Sequence, residues 1–249
     1  MKLPDKVAVI TGAGIGIGRI YAKALAGQGA SIVIADLDAE AGERTATEIM
    51  AEGGKAIATV TDVSKEVQVQ EMAAEAARAF GGIDILINNA GLHLMEYNVP
   101  CTQLGLDKWR KLLDVNVTGA LMCASACHPS MKERGGGVIV NQSSIAAYMA
   151  AGAYGVSKLA LNGLTMALAT EFAPDNIRVH GIAPGLIESE ALLAEMPEEA
   201  RERTVTSQLI KRPGQMTDLA GLMVFLCSEE SSMITSQTWI VDGGSIRRV

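Results

Sequence analysis

Alternating strand and helix patterns along 249 residues predict an α/β fold, namely a single doubly wound, Rossmann-like domain with a seven-stranded parallel sheet and helices on both faces. Short runs such as Val7-Ala8-Val9-Ile10 are apolar at every position, which suits strands buried on both sides rather than on one. Longer helix-like stretches separate them, several closed by glycine pairs that act as stop signals. No linker, low-complexity tract or composition shift divides residues 1–249, so a single domain is expected, with a loop or lid over about 186–212.

The elements follow in order. Strand 7–10 leads through a glycine-rich turn into a helix over 16–29, and Ser31–Ala35 is the second strand. A polar-faced helix over 39–51 stops at Gly53-Gly54, and 56–60 is the third strand. Helix 65–80 stops at Gly81-Gly82 before the fourth strand, 83–87. Two consecutive helical segments fill 106–132 and end at Gly135-Gly136-Gly137, ahead of strand 138–140. A long helix over 151–172 precedes strand 177–182. The region 188–208 is polar and helical without a clean apolar stripe, 219–226 is a helix, and 238–241 is the last strand.

About half the chain (49%) is apolar, enough to fill a core. The formal net charge of -7 argues against nucleic acid as a partner, because an acidic surface repels phosphate backbones and Arg247-Arg248 alone make no basic stripe. No run approaches the ~18 apolar residues of a membrane span, and Met1–Lys6 does not read as a signal peptide, so no membrane association and a cytoplasmic location are expected. Cys123 and Cys127, four apart in an apolar run, read as small buried thiols on a helix; no metal is expected.

The turn Thr11-Gly12-Ala13-Gly14-Ile15-Gly16-Ile17-Gly18 lies between the first strand and the first helix. Glycine permits positive φ and close backbone approach to a pyrophosphate, while the helix N-terminus offers unpaired N–H donors. Gly12, Gly14, Ile15, Gly16 and Ile17 are therefore candidate cofactor contacts. Asp36 ends the second strand, beside Leu37, where a carboxylate accepts adenosine ribose hydroxyls and repels a 2′-phosphate. With no Arg or Lys at 15, 37 or 38, NAD is preferred to NADP; a helix-capping role for Asp36 is the alternative.

Tyr154 and Lys158 are four residues apart on one helix face. A free phenol, with its pKa near ~10, is a poor base at neutral pH. A neighbouring ammonium favours the phenolate, which can then take a proton from an alcohol or return one to a carbonyl oxygen. By itself such a pair is as readily a surface feature. Upstream, Asn141-Gln142-Ser143-Ser144 closes the fifth strand, at the carboxyl end where open α/β sheets bind ligands, and a hydroxyl there could hold the reacting oxygen.

Taken together, Thr11-Gly12-x-x-x-Gly16-x-Gly18, Asn88-Asn89-Ala90-Gly91, Asn116, Ser144, Tyr154-x-x-x-Lys158, Pro184-Gly185 and Val241-Asp242-Gly243-Gly244 make the whole chain resemble the short-chain dehydrogenase/reductase family. The resemblance implies Tyr154 as acid/base, Lys158 lowering its pKa and binding the nicotinamide ribose, Ser144 orienting substrate, and Asn116 holding a relay water. It implies cofactor contacts at Asp62, Val63, Asn89, Ala90, Gly91, Pro184, Gly185, Ile187 and Ser189, and a homotetramer, with a dimer next. The interval from Ser144 to Tyr154 is shorter than the resemblance implies, which leaves Ser143 as an alternative to Ser144 and reshapes one pocket wall.

Substrate contacts are expected from Ala146, Tyr148, Leu186 and Leu94, with Ser144 and Tyr154. This largely apolar set, with no arginine clamp, points to a small-molecule secondary alcohol or ketone, cyclic or aromatic. His93 reads either as a donor to substrate or as a solvent-facing loop residue. The competing functions are an NADPH-linked reductase of 3-oxoacyl thioesters and a dinucleotide-binding regulator that has lost catalysis.

Overall fold

Strands β1 (Val7–Thr11), β2 (Ser31–Asp36), β3 (Lys55–Val60), β4 (Ile85–Asn88), β5 (Gly137–Gln142) and β6 (Ile177–Pro184) are joined by helical crossovers in a computed structural model describing residues 1–93, 96–149 and 152–247. The helices are α1 (Gly16–Ala26), α2 (Ala39–Ala51), α3 (Glu66–Phe80), α4 (Leu106–Leu113), α5 (Gly119–Glu133) and α6 (Gly152–Phe172). Beyond β6 come β7 (Ile187–Glu188), α7 (Glu190–Glu195), α8 (Glu198–Ser207), β8 (Gly214–Gln215), α9 (Thr217–Cys227) and β9 (Gln237–Val241). Seven strands form one sheet in the order β3-β2-β1-β4-β5-β6-β9, with every pairing parallel.

The predicted fold class is the observed one, and element boundaries agree to within a few residues. The short parallel pair β7–β8 is an addition. It arises inside a stretch whose composition reads as helix, because Ile187 finds its partner at Gly214, far along the chain. The long helical region over 106–132 is also subdivided: residues 114–118 form one π-helical turn between α4 and α5, a local widening often found at functional sites.

Alternation of side chains along each strand feeds two separate cores. Ala8, Ile10, Ile32, Ile34, Ile85 and Ile87 face Tyr21, Leu25, Leu219, Met223 and Leu226 of α1 and α9. Val7, Val9, Val33, Leu86 and Ile139 face Met72, Cys123, Cys127, Met131, Leu168 and Phe172 of α3, α5 and α6. Each fully buried large aliphatic side chain contributes roughly 1.5–3 kcal/mol of transfer free energy, which explains why the central strands read as unbroken apolar runs. Cys123 and Cys127 are buried thiols, as expected; burial pushes the Cys123 thiol up to about 12. Among the described residues no cluster of three or more His, Cys, Asp or Glu could hold a metal ion. No helix among them is long and apolar enough to cross a membrane.

At the amino ends of the strands Asp84 is the main polar tie. Its carboxylate accepts from Val7 N (2.8 Å) and pairs with Arg134 (2.9 Å) and Lys6 (3.5 Å), while its own backbone joins β1 to β5. Replacing it strands a buried N–H and leaves Arg134 without its carboxylate. Asp84→Ala should therefore cost about 2–3 kcal/mol, read as a lowered urea midpoint at unchanged m-value; an unchanged midpoint would refute this role.

Candidate active site

The order of the sheet reverses between β1 and β4, so the loops leaving their carboxyl ends part and open a crevice. Close backbone approach shapes it. Gly12 takes φ +63°, and a Cβ there would meet Ala90 Cα at 2.9 Å; a Cβ at Gly18 would strike the Gly12 carbonyl and Asn89 Nδ2. Asn89 Nδ2 donates to Thr11 O (3.0 Å) and Gly12 O (2.9 Å), while Thr11 Oγ1 accepts from the Asn89 and Ala90 amides (3.1 and 3.0 Å). The motif after β4 thus braces the glycine turn after β1. Helix α1 begins at Gly16, presenting its N-terminal end to the crevice.

A cleft of about 920 Å³ runs along these carboxyl ends. Gly12, Ile15, Gly16, Ile17, Asp36 and Leu37 line its first part. Asp62, Val63, Asn89, Ala90 and Gly91 line its middle wall, and Ser144, Tyr154, Lys158, Pro184, Gly185, Ile187 and Ser189 its far end. Gly14 is not among the lining residues: its N–H donates to Asp36 Oδ2 (2.7 Å) and its carbonyl accepts from Thr45 (2.9 Å). Its role is to orient Asp36, whose Oδ1 also accepts from Asp38 N (3.0 Å). Helix α2 is capped by Asp38, not by Asp36, which removes the capping alternative.

Asp62 loses solvation by burial, yet two hydrogen bonds from Ser64 and the nearby Lys65 and Lys111 cations hold its carboxyl below the ordinary range. Arg19, Lys65, Arg110 and Lys111 also line this part of the cleft, and sequence reasoning missed them. Arg19 and Lys65 stand at helix starts and Arg110 and Lys111 at the end of α4, where charges read as solvated faces.

At the far end Tyr154 lies on the first turn of α6 and Lys158 one turn on, with its Nζ 5.7 Å from the phenol ring centroid. Lys158 is buried, donates to Gln142 O (2.7 Å), and has its pKa lowered to about 8 by burial. Burial pushes the Tyr154 phenol up to about 12, opposed by its hydrogen bond with the Ser144 hydroxyl. Ser144 also accepts from Ala146 N (3.2 Å), capping a 3-10 turn over Ile145–Tyr148 that takes up the short interval to α6. Ser143 is buried and its hydroxyl donates to Lys158 O (3.4 Å), so Ser144 is the serine that acts on the phenol.

Asn116 is buried in the π-helical turn, behind the cleft rather than on its wall. Its side chain accepts from Leu92 N (2.7 Å) and donates to Leu92 O (2.9 Å) and Ser157 Oγ (3.1 Å). A Cβ on Gly91 would lie 3.2 Å from Asn116 Oδ1 and 3.4 Å from Lys158 Nζ, so glycine leaves room for both polar groups.

Leu92, His93 and Leu192 line the substrate end. His93 lines the cleft while remaining exposed to solvent, and surrounding protein, then the Lys158 charge, lower its pKa against the pull of Glu195. Three of the expected substrate contacts are not among the residues that line the cleft. Leu186 is buried and its carbonyl accepts from Gly214 N (2.9 Å), while Ala146 and Tyr148 stand in the 3-10 turn beside the cleft without lining it. Leu94 lies outside the described residues.

The segment over about 186–212 is tied down at both ends. Beyond the β7–β8 pair, Gly243 O accepts from Leu209 N (2.8 Å) and Ile210 N (2.9 Å), and Asp242 accepts from Gly244 N (2.8 Å) and Ile246 N (2.6 Å). The Val241-Asp242-Gly243-Gly244 motif thus anchors this segment. Ser189 caps α7, accepting from Leu192 N (3.2 Å), and its hydroxyl proton is left to serve the cleft.

The arrangement matches known proteins along its whole length. The family model described as enoyl-(acyl carrier protein) reductase matches residues 12–245. An uncharacterized oxidoreductase of Mycobacterium tuberculosis is 44% identical over 245 residues, covering 98% of each chain. Dehydrogenase/reductase SDR family member 4 of Sus scrofa is 38% identical, covering 99% of this chain and 89% of that one. Among solved structures, a 7α-hydroxysteroid dehydrogenase complexed with NADH and 7-oxo glycochenodeoxycholic acid superposes with a TM-score of 0.93 at 34% identity, covering 99% of this chain and 96% of that one. A hydroxysteroid dehydrogenase from Escherichia coli gives 0.89 at 34% identity, covering 99% and 98%. The fold, the braced glycine turn and these matches agree: the chain belongs to the short-chain dehydrogenase/reductase family of oxidoreductases.

Proposed function

We propose that the protein is an NAD-dependent alcohol dehydrogenase or ketone reductase acting on a largely apolar, cyclic secondary alcohol or its ketone. The observation that carries this reading is the meeting of Tyr154, Ser144 and a buried Lys158 inside the same cleft as the glycine turn.

The residues present fit a dinucleotide. A Cβ would fill the cradle at Gly12, the α1 N-terminus and Ile17 suit the pyrophosphate, and Asp36 has lone pairs left for the adenosine ribose. Asp36 disfavours a 2′-phosphate, which supports NAD over NADP and weighs against the NADPH-linked thioester reductase. Asp62 and Val63 would flank the adenine, with Asn89, Ala90 and Gly91 along the middle of the cofactor. Pro184, Gly185, Ile187 and Ser189 would hold the nicotinamide end. When bound, the nicotinamide supplies the acceptor or donor of the hydride.

The chain's own groups manage the proton. In reduction the neutral phenol of Tyr154 donates to the carbonyl oxygen while Ser144 holds that oxygen in place. In oxidation Tyr154 must first lose its proton, which the Lys158 cation favours. Asn116 would support a water relay to Lys158. A catalytic set complete at Asn116, Ser144, Tyr154 and Lys158 speaks against a non-catalytic regulator.

Support for the substrate comes from Leu92 and Leu192 at the open end, and from the steroid compounds named for the two solved relatives. The acidic segment carrying α7 and α8 would serve as the lid. Exposed Leu121, Leu159 and Met166 on α5 and α6 support a homotetramer, or a dimer next.

Four measurements test the reading. Tyr154→Phe should lower kcat by about 10²–10⁴-fold while leaving the NADH Kd, read by fluorescence, nearly unchanged; retained turnover would refute the acid/base role. Ketone reduction should be level below about pH 8 and fall above it as Lys158 loses its proton, whereas alcohol oxidation should rise from neutral pH to about pH 8 and gain no more beyond it, where the cation that favours the phenolate is lost. Opposite slopes would remove Lys158 from the proton path. Asp36→Ala should erode the NAD preference over NADP by about tenfold, roughly 1.4 kcal/mol. A panel in which polyols outrun apolar cyclic alcohols would overturn the substrate class.

A further inference from the structure

The catalytic phenol sits where a helix is least secure. Tyr154 is the third residue of α6, and the first turn of any helix carries N–H groups without intrahelical acceptors and tends to fray. Here those donors are met by a distant segment. Ala153 N donates to Val99 O (3.0 Å) and Tyr154 N donates to Tyr97 O (3.1 Å).

That segment is itself held at both ends. Upstream, Leu92 is clamped through its N–H and its carbonyl by Asn116. Downstream, the Tyr97 ring is buried with Leu104, Leu112 and Ala153, and Leu92, Val99, Trp109 and Tyr154 pack around them. This third core is separate from the two that cover the sheet. The circuit also closes on the other side of Tyr154. Asn116 Nδ2 donates to Ser157 Oγ (3.1 Å), and Ser157 Oγ donates to Tyr154 O (2.7 Å). Both backbone polar groups of the catalytic residue are therefore fixed by partners that lead back to the chain between Leu92 and Val99.

Gly152 shows how tightly the two segments meet. It takes φ +59°, and a Cβ there would lie 2.5 Å from Val99 O and 3.1 Å from Val99 C. Any side chain would push Val99 away or strain the helix start.

We propose that Tyr97–Val99 acts as a strap that caps α6 and sets the position of the catalytic phenol, with Tyr97 as a positioning residue for Tyr154. The same stretch of chain supplies Leu92 and His93 to the cleft wall, so the surface that meets substrate and the brace that holds the acid/base are one element. The proposal rests on the assignment of Tyr154 as the acid/base. A displacement on the order of 1 Å at such a group can cost about 10²-fold in rate.

Hydrogen exchange and kinetics on the full chain test it together. In the wild type, the Ala153 and Tyr154 amides should be protected; exchange at the rate of an open helix end would overturn the strap without any variant being needed. Tyr97→Ala and Gly152→Ala should speed exchange of the 152–158 peptide at least about tenfold and lower kcat about 10- to 100-fold, with the NADH Kd changed less than about twofold. Tyr97→Phe keeps the buried ring and should restore both readouts. Wild-type kcat in both disruptive variants, or loss of NADH binding in step with kcat, would overturn the proposal. If the wild type oxidises no alcohol and reduces no ketone, the proposed function fails, while the exchange measurements still decide whether the strap holds α6.

Discussion

A parallel sheet buried on both faces leaves polar chemistry few places to go, and that constraint organises this molecule. Strands β1, β4 and β5 are apolar wherever a helix covers them, so their first polar groups appear where the chain leaves the sheet. Thr11, Asn89 and Ser144 all stand at carboxyl ends and converge because the strands are parallel and adjacent. The turn at the reversal of strand order is then drawn tight by Asn89 and Thr11, which use four hydrogen bonds to hold two loops against each other. The glycines at 12 and 18 follow from that closeness, since a Cβ at either would strike the neighbouring loop.

Electrostatics at the far end follow from burial. Taking Lys158 out of water lowers its pKa, and taking Tyr154 out of water raises its own, so burial disfavours the ionised form of both groups. The hydrogen bond from Ser144 works against the shift in Tyr154, and the Gln142 carbonyl gives the ammonium a partner. On the proposed function, a site built this way would be ready to give a proton. It takes one only with help from added positive charge, which is what an oxidised nicotinamide would bring.

Two peripheral segments shape the open end, and in each the backbone N–H and C=O groups make ties to distant parts of the chain. The segment carrying α7 and α8 is tied by the β7–β8 pairing and by Gly243, which accounts for the glycines near the chain end. The segment from Leu92 to Val99 is tied by Asn116 and by the first turn of α6. Asn116 thus has a structural load besides any part in proton relay. His128 and His180, by contrast, serve packing: one stacks on Phe172 and pairs with Asp175, the other is buried beside Arg178.

The sequence by itself determined the sheet, its two-sided burial, the glycine turn, Asp36 and the Tyr154–Lys158 pair. Each is a local signal: periodicity, a turn that only glycine satisfies, or residues one helical turn apart. What lay between distant segments was not legible. Only the tertiary structure decided that Ser144 rather than Ser143 meets the phenol, that Leu186 is buried, and that Gly14 serves Asp36. It likewise decided that Arg19, Arg110 and Lys111 reach the cleft and that Tyr97 and Val99 close the helix bearing Tyr154. The physical reason is that carbonyls and amides carry no residue identity. A backbone acceptor that caps a helix more than fifty positions away leaves no mark in composition or spacing, and becomes visible only when the fold brings the two together.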